Sequence, residues 1–104
     1  MKVEVINRKK YKNEDYIYVA RPSKWGNPYS SKPSNLKDTI IVDSIDESLG
    51  SYKKYIMENL HLVDELIQEL KDKDLNKIGC WCDGRCHAKI LAQLIEEKTT
   101  GFNF

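Results

Sequence analysis

The sequence of 104 residues contains no long apolar run and no excess of charge of one sign. A membrane-spanning helix needs about 18 consecutive apolar residues, and the start Met-Lys-Val-Glu-Val lacks the apolar core of a secretory signal. Seventeen Lys and Arg against sixteen Asp and Glu give a net charge of +1, so no overall field draws the chain to nucleic acid or anionic lipid. We therefore expect a cytoplasmic protein without a membrane contact, for which nucleic acid is not an expected partner.

Cysteine is also scarce. The only three cysteines, Cys80, Cys82 and Cys86, lie within seven positions. A secreted domain held by disulfides spreads an even number of cysteines along its chain. The spacing therefore indicates reduced thiols, metal ligands or reactive groups.

Three runs rich in β-branched and aromatic residues, at 3–6, 16–20 and 76–81, predict short strands. The charged segment 8–15 between the first two is typical of either a hairpin turn or a solvated loop. Its basic half, 8–12, is too small a patch to favour nucleic-acid binding. Residues 39–42 form either a further short strand or the approach to a helix.

Helical spacing is strongest in the middle of the chain. Ser44 and Glu47 form a capping-box pattern, and apolar residues then recur every three or four positions from Leu49 to Leu70. A single rod of about 27 residues would be roughly 40 Å long, too long for a domain whose radius of gyration is about 13 Å. We therefore predict a break at 59–62.

The C-terminal part predicts one more helix over 88–98, and residues 98–104 are expected to form a loose tail. A chain of this length has room for one hydrophobic core. The sequence thus predicts one α/β domain over 1–104, with a short, mostly parallel sheet flanked by helices.

The densest group of chemically active residues follows the strand at 76–81, in the order Cys80-Trp81-Cys82-Asp83-Gly84-Arg85-Cys86-His87. Cys86 and His87 fall at the start of a helix, where backbone N–H groups and the helix dipole attract anions and lower the pKa of a thiol. Arg85 adds a cation and Cys82 a second thiol. Cys86 is the candidate nucleophile and His87 its proton partner. The alternatives are buried structural cysteines or a zinc site.

A second group follows the strand at 16–20, in the order Arg21-Pro22-Ser23-Lys24-Trp25-Gly26-Asn27-Pro28-Tyr29. Arg21 and Lys24 could hold an anionic group, Trp25 or Tyr29 could stack on a ring, and Ser23 and Asn27 offer hydrogen bonds. The alternative is that Trp25 covers the core while Ser23 and Asn27 hold the turn. Loops at the carboxyl ends of parallel strands meet at one edge of a sheet, so we expect Arg21 and Cys86 to share a pocket.

These two groups resemble a bacterial and phage family known as domain of unknown function family 4326, through Arg21-Pro22-Ser23 with Gly26-Asn27-Pro28 and Cys80-Trp81-Cys82 with Cys86-His87. The resemblance spans residues 16–94 and implies that both groups belong to one functional surface. It implies a location in a bacterial or phage-infected cell, and it supplies no activity. The sequence differs in having Asp83-Gly84-Arg85 where a proline is common.

The expected function is binding of a small anionic molecule, a nucleotide or nucleotide-derived metabolite, between the Arg21–Tyr29 loop and the Cys80–His87 turn. Cysteine chemistry at Cys86 is left open, and no cofactor is expected. Two alternatives remain. One is a phage-type inhibitor module that binds a protein partner, for example through the helical segment 49–70. The other is a structural domain stabilised by zinc.

Overall fold

The computed structural model describes residues 1–20, 23–30, 40–81 and 86–100. Its elements are β1 (Glu4–Asn7), β2 (Ile17–Tyr18), β3 (Tyr29–Ser30), β4 (Ile40–Ile41), α1 (Ile45–Met57), α2 (Leu60–Asp72), β5 (Lys77–Cys80) and α3 (His87–Thr99). β1, β5 and β2 form a parallel sheet with β5 in the middle, and β3 pairs in parallel with β4. The predicted single α/β domain with its mostly parallel sheet is confirmed.

The first helix begins at the capping box that the sequence predicts. The Ser44 side chain accepts the backbone N–H of Glu47 at 3.1 Å, and the Glu47 carboxylate in turn accepts the N–H of Asp43. The predicted break is confirmed, because α1 ends at Met57 and α2 begins at Leu60. Within the predicted tail, α3 continues to Thr99, and residues 101–104 lie outside the described part.

The hydrophobic core lies between the helices and one face of the three-stranded sheet. Its largest fully buried side chains come from the three helices, from β5 and from the residue after β2: Val19, Tyr52, Ile56, Val63, Leu66, Leu70, Ile78, Cys80, Leu91 and Ile95. Each large apolar side chain buried in this way contributes about 1.5–3 kcal/mol. Each helix has 13 residues, and none in the described part is long and apolar enough to cross a bilayer.

The second face of the sheet is covered by the connection between β1 and β2. Gly79 points away from the core, since its neighbours Ile78 and Cys80 point into it. A Cβ at Gly79 would lie 2.5 Å from the Tyr16 ring, so only glycine lets this ring pack on the strand. The hairpin alternative for 8–15 is wrong, because β1 and β2 are parallel and separated by β5.

Parallel pairing puts the carboxyl ends of the three strands at the same edge. β1 ends at Asn7, which pairs with Cys80 at the end of β5, and Tyr18 of β2 pairs with Gly79. The chain leaves β2 toward the 23–29 loop and leaves β5 toward α3. The described parts of both candidate segments therefore begin at this edge of the sheet.

Candidate functional site

Cys86 and His87 lie where α3 begins, beside the end of β5. Cys86 is the N-cap of α3 with extended backbone (φ −150°, ψ 143°), and His87 is its first helical residue. Cys80, Cys86 and His87 are all buried, with 1, 4 and 5% of their surface exposed. The change from extended to helical backbone lets two adjacent side chains meet instead of pointing apart.

The His87 ring joins the two segments through its two nitrogen atoms. Nε2 lies 2.9 Å from the carbonyl oxygen of Val19, the second residue before Arg21. A carbonyl can only accept a hydrogen bond, so Nε2 carries the proton and neutral His87 has its lone pair on Nδ1. Nδ1 lies 3.6 Å from the Cys86 sulfur. His87 is thus held by a backbone carbonyl in the tautomer that can take a proton from Cys86.

The Cys80 thiol is the second group next to Cys86, with the two sulfur atoms 2.9 Å apart. If Cys86 transfers its proton to His87, the Cys80 S–H can donate to the resulting thiolate. The start of α3 adds a favourable dipole and has no acidic residue in its first turn. A thiol is activated by a neighbouring base that a third group holds in position. Here these groups are Cys86, His87 and the Val19 carbonyl.

Tyr52 of α1 connects this pair to the 23–29 loop. Its ring packs edge-on against the His87 ring, with the centroids 5.1 Å apart, and its hydroxyl donates to the carbonyl oxygen of Trp25 at 2.7 Å. Burial raises the pKa of Tyr52 far above its ordinary value, with smaller contributions from Tyr55 and Cys86. The hydroxyl therefore stays protonated and remains a donor throughout the physiological pH range.

The other described residues of the loop are mostly held against the helices. The Trp25 side chain is 5% exposed, and its indole N–H donates to the carbonyl oxygen of Leu62 at 2.8 Å. Asn27 accepts the N–H of Tyr29 and donates to the Ser48 hydroxyl, which donates to the carbonyl oxygen of Tyr29. Trp25 and Asn27 thus fix the loop on α1 and α2, while Tyr29 is half-buried.

Lys24 and Ser23 differ from these residues. Lys24 is exposed, lies over the Trp25 ring and forms an ion pair with Glu65 at 3.5 Å. Ser23 has a buried hydroxyl oxygen that finds no hydrogen-bond partner within the described residues. A buried hydroxyl without a partner costs about 1–3 kcal/mol, so a ligand that supplies one would regain this energy.

Three of the predicted site residues, Arg21, Cys82 and Arg85, lie outside the described residues. Sequence reasoning missed three contributors that are described. The Val19 carbonyl is a backbone group without a sequence signal, and Tyr52 and Ser48 were indistinguishable from other residues on the inner face of a helix. The position of Cys80 and Cys86 on either side of the strand–helix junction could have suggested that the two thiols meet.

The geometry also bears on the two alternatives. Among the described residues, no three ligating side chains are arranged to hold a metal ion, and two sulfurs bound to one zinc ion would lie about 3.8 Å apart rather than 2.9 Å. The apolar positions of segment 49–70, such as Ile56 and Leu66, pack into the core. The exposed large apolar side chains of Ile40 and Ile41 lie outside this segment.

Comparison with known proteins gives a family and no relative of known activity. No curated protein matches the chain, and no solved structure matches it. The model of the family described as domain of unknown function (DUF4326) matches residues 5–97, which include both segments of the site. The chain therefore belongs to the DUF4326 family.

Proposed function

We propose that this domain binds a small anionic molecule, a nucleotide or nucleotide-derived metabolite, at the carboxyl edge of its sheet, with Cys86 as the reactive group. The observation that carries the proposal is the double contact of His87, whose Nδ1 meets the Cys86 sulfur and whose Nε2 meets the Val19 carbonyl. One imidazole ring thus links the proposed reactive thiol to the chain that leads into the Arg21 loop.

The anionic character of the ligand follows from the helix that starts at this ring and from the basic residues that adjoin the two segments in sequence. Backbone N–H groups at the start of a helix bind phosphate and carboxylate, and the start of α3 lies at the Cys86–His87 pair. Arg21 and Arg85 adjoin the two segments in sequence and would hold further negative charge through their planar guanidinium groups. Lys24 would contribute only after leaving Glu65.

A ring on the ligand would stack on Tyr29 rather than on Trp25. The indole of Trp25 is buried with its N–H engaged, whereas Tyr29 is half-buried. Tyr29 contacts Ser48, which lies one helical turn before Tyr52 and therefore about 6 Å from it along α1. The Ser23 hydroxyl has no hydrogen-bond partner among the described residues and would form a hydrogen bond with the ligand.

If the ligand carries an electrophilic centre, the chemistry begins with proton transfer from the Cys86 thiol to Nδ1 of His87. The thiolate then forms a bond to that centre, and His87 returns the proton to the departing group. Val19 holds the ring in place in both steps, because its carbonyl oxygen accepts a hydrogen bond from Nε2–H whether the imidazole is neutral or charged.

A melting screen tests binding directly. The probes are adenosine and guanosine mono-, di- and triphosphates, with inorganic phosphate alone as the arm that reports anion binding without a ring. A ligand at 100 times its Kd stabilises the fold by about 2.7 kcal/mol, which raises the Tm of a domain of this size by about 10–20 °C. If none of these probes raises the Tm at millimolar concentration, the proposal is wrong.

Ser23→Ala distinguishes a loss of ligand binding from a loss of fold stability. The variant removes a buried hydroxyl that has no partner among the described residues, so the unliganded protein should melt at the same temperature or higher. The Tm rise caused by the nucleotide should become smaller. Ser51→Ala, at a half-buried serine on α1, is the matched control and should keep the full nucleotide response.

Metal analysis of the same sample decides the zinc alternative. About one equivalent of zinc, with a Tm that falls in chelator, would show that the thiols hold a structural metal ion. A metal-free protein whose Tm is unchanged by chelator would leave Cys86 available for the proposed role.

A further inference from the structure

The face of the sheet opposite the core carries a cluster that the proposed function does not use. We call it the arginine platform; it consists of Arg8, Tyr16, Tyr18 and Trp81. The platform lies at the carboxyl edge of the sheet, because Arg8, Tyr18 and Trp81 stand at or just after the ends of β1, β2 and β5. Tyr18 pairs with Gly79 and so shares the face that points away from the core.

The Arg8 guanidinium is held by rings rather than by a carboxylate. Its central carbon lies 4.5 Å from the centroid of the Trp81 ring and 4.7 Å from that of Tyr18. Its Nε donates to the Tyr16 hydroxyl at 2.8 Å, and the Trp81 indole N–H donates to the Tyr18 hydroxyl at 2.9 Å. Within the described part of the chain, no carboxylate forms an ion pair with Arg8.

The platform is open to solvent. Trp81 exposes 45% of its surface, and Arg8 is exposed as well. An exposed tryptophan whose ring is fixed by a hydrogen bond and a stacked guanidinium loses little conformational entropy when it binds a flat partner.

The charge around the platform is positive. The connection 8–16 carries four Lys and Arg and two acidic residues, a net charge of +2 on a chain of net charge +1. Lys9 and Lys12 are exposed. Asp15 is engaged elsewhere, because it accepts from the Tyr11 hydroxyl and pairs with Lys77, and these contacts lower its pKa. It does not neutralise Arg8.

We propose that the arginine platform binds single-stranded nucleic acid. Aromatic rings that stack on unpaired bases, next to Arg and Lys groups that contact the backbone, are the combination that binds single strands without sequence preference. The basic segment 8–12 alone did not favour nucleic acid. The fold changes this conclusion, because it brings Tyr18 of β2 and Trp81, the residue after β5, to the same segment.

The geometry assigns separate roles to the two kinds of group. The outer face of Trp81 stacks on a base, and Arg8 with Lys9 and Lys12 contacts phosphates. A duplex keeps its bases stacked inside, so it offers Trp81 no free base and should bind only through its charge.

The test is fluorescence anisotropy of a labelled 12-nucleotide oligo(dT), oligo(rU) and the corresponding DNA duplex. We expect both single strands to bind more tightly than the duplex. With three phosphates contacted, single-strand affinity should fall about 20-fold between 50 and 200 mM salt. Absence of binding in 50 mM salt, or equal or tighter binding of the duplex, would overturn the proposal.

Variants distinguish stacking from charge. Trp81→Leu should weaken single-strand binding by about tenfold or more, while Trp81→Phe retains most of it. Arg8→Gln should weaken binding and reduce the salt slope by about 0.7, whereas Lys54→Gln, which removes an equal charge on α1, should leave both unchanged. Near-ultraviolet circular dichroism checks that each variant is folded. Full binding by folded Trp81→Leu would contradict the proposal.

Discussion

Tyr52→Phe tests the connection between the 23–29 loop and the Cys86–His87 pair. The substitution removes one oxygen atom and keeps the ring that packs on His87. Tyr52 is fully buried, and its hydroxyl donates to the Trp25 carbonyl at 2.7 Å. The variant therefore loses a buried hydrogen bond and leaves a buried carbonyl without its donor.

The expected cost is about 1–2 kcal/mol. A net hydrogen bond contributes about 0.5–1.5 kcal/mol, and an acceptor left without a partner adds to the loss. For a domain of this size each kcal/mol lowers the Tm by about 4–8 °C. Because burial keeps the pKa of Tyr52 far above its ordinary value, the difference between variant and wild type should not change between pH 6 and 9.

Chemical denaturation and thermal melting of the two proteins give this difference. The matched control is Tyr55→Phe, which removes the hydroxyl of a half-buried tyrosine three residues later on α1. We expect the control to change the free energy of unfolding by less than about 0.5 kcal/mol. If both variants are equally stable, the Tyr52 hydroxyl does not hold the loop and the reasoning is refuted.

Three further predictions concern other contacts. Gly79→Ala places a Cβ against the Tyr16 ring, so denaturation should show a loss of about 1–3 kcal/mol; an unchanged midpoint would mean that the ring does not lie there. Diamide should oxidise Cys80 and Cys86 to a disulfide, with the two protons and two electrons passing to its azo bond. Mass spectrometry of digested protein should find this bridge, because the sulfurs lie 2.9 Å apart. Asp15 has a lowered pKa through its tyrosine and lysine contacts, so its stabilising effect is present above about pH 4 and lost at lower pH. The stability difference between wild type and Asp15→Asn should shrink as the pH falls from 5 to 2, and a constant difference would argue against these contacts.

The helices could be predicted because their signals are local. Ser44 and Glu47 mark the start of α1, the apolar spacing gives its inner face, and the length of the segment requires the break before Leu60. Each of these features depends on residues within a few turns of one another. Such short-range interactions are readable in one sequence.

The order of the strands could not be predicted from the same sequence. β2 has only two paired residues, and its place beside β5 depends on partners some sixty positions away. The charged composition of 8–15 fits a hairpin turn and a solvated loop equally well. Gly79 was the available clue, since a glycine inside a strand can mark the close approach of another side chain.

The position of the candidate residues Cys86 and His87 in the fold could be predicted from the sequence, but their contacts could not. Cys86 and His87 were expected at the junction of strand and helix, and they lie there. The contacts of His87 with a backbone carbonyl and with Tyr52 depend on how three elements pack. Trp25 could be interpreted as a stacking group or as a core group, and only the packing against α2 shows that its indole is buried.

The most direct test of the proposed site is the pH dependence of Cys86 alkylation in the native protein. Trypsin cuts after Lys77, Arg85 and Lys89, so Cys86 appears in a peptide of its own, separate from Cys80 and Cys82. Brief exposure to iodoacetamide at each pH, followed by mass spectrometry, gives the apparent pKa of this thiol. We predict a midpoint clearly below the value of about 8.5 for an ordinary thiol, shifted upward in His87→Gln. A native midpoint equal to that of the unfolded chain, unchanged by His87→Gln, would contradict the account.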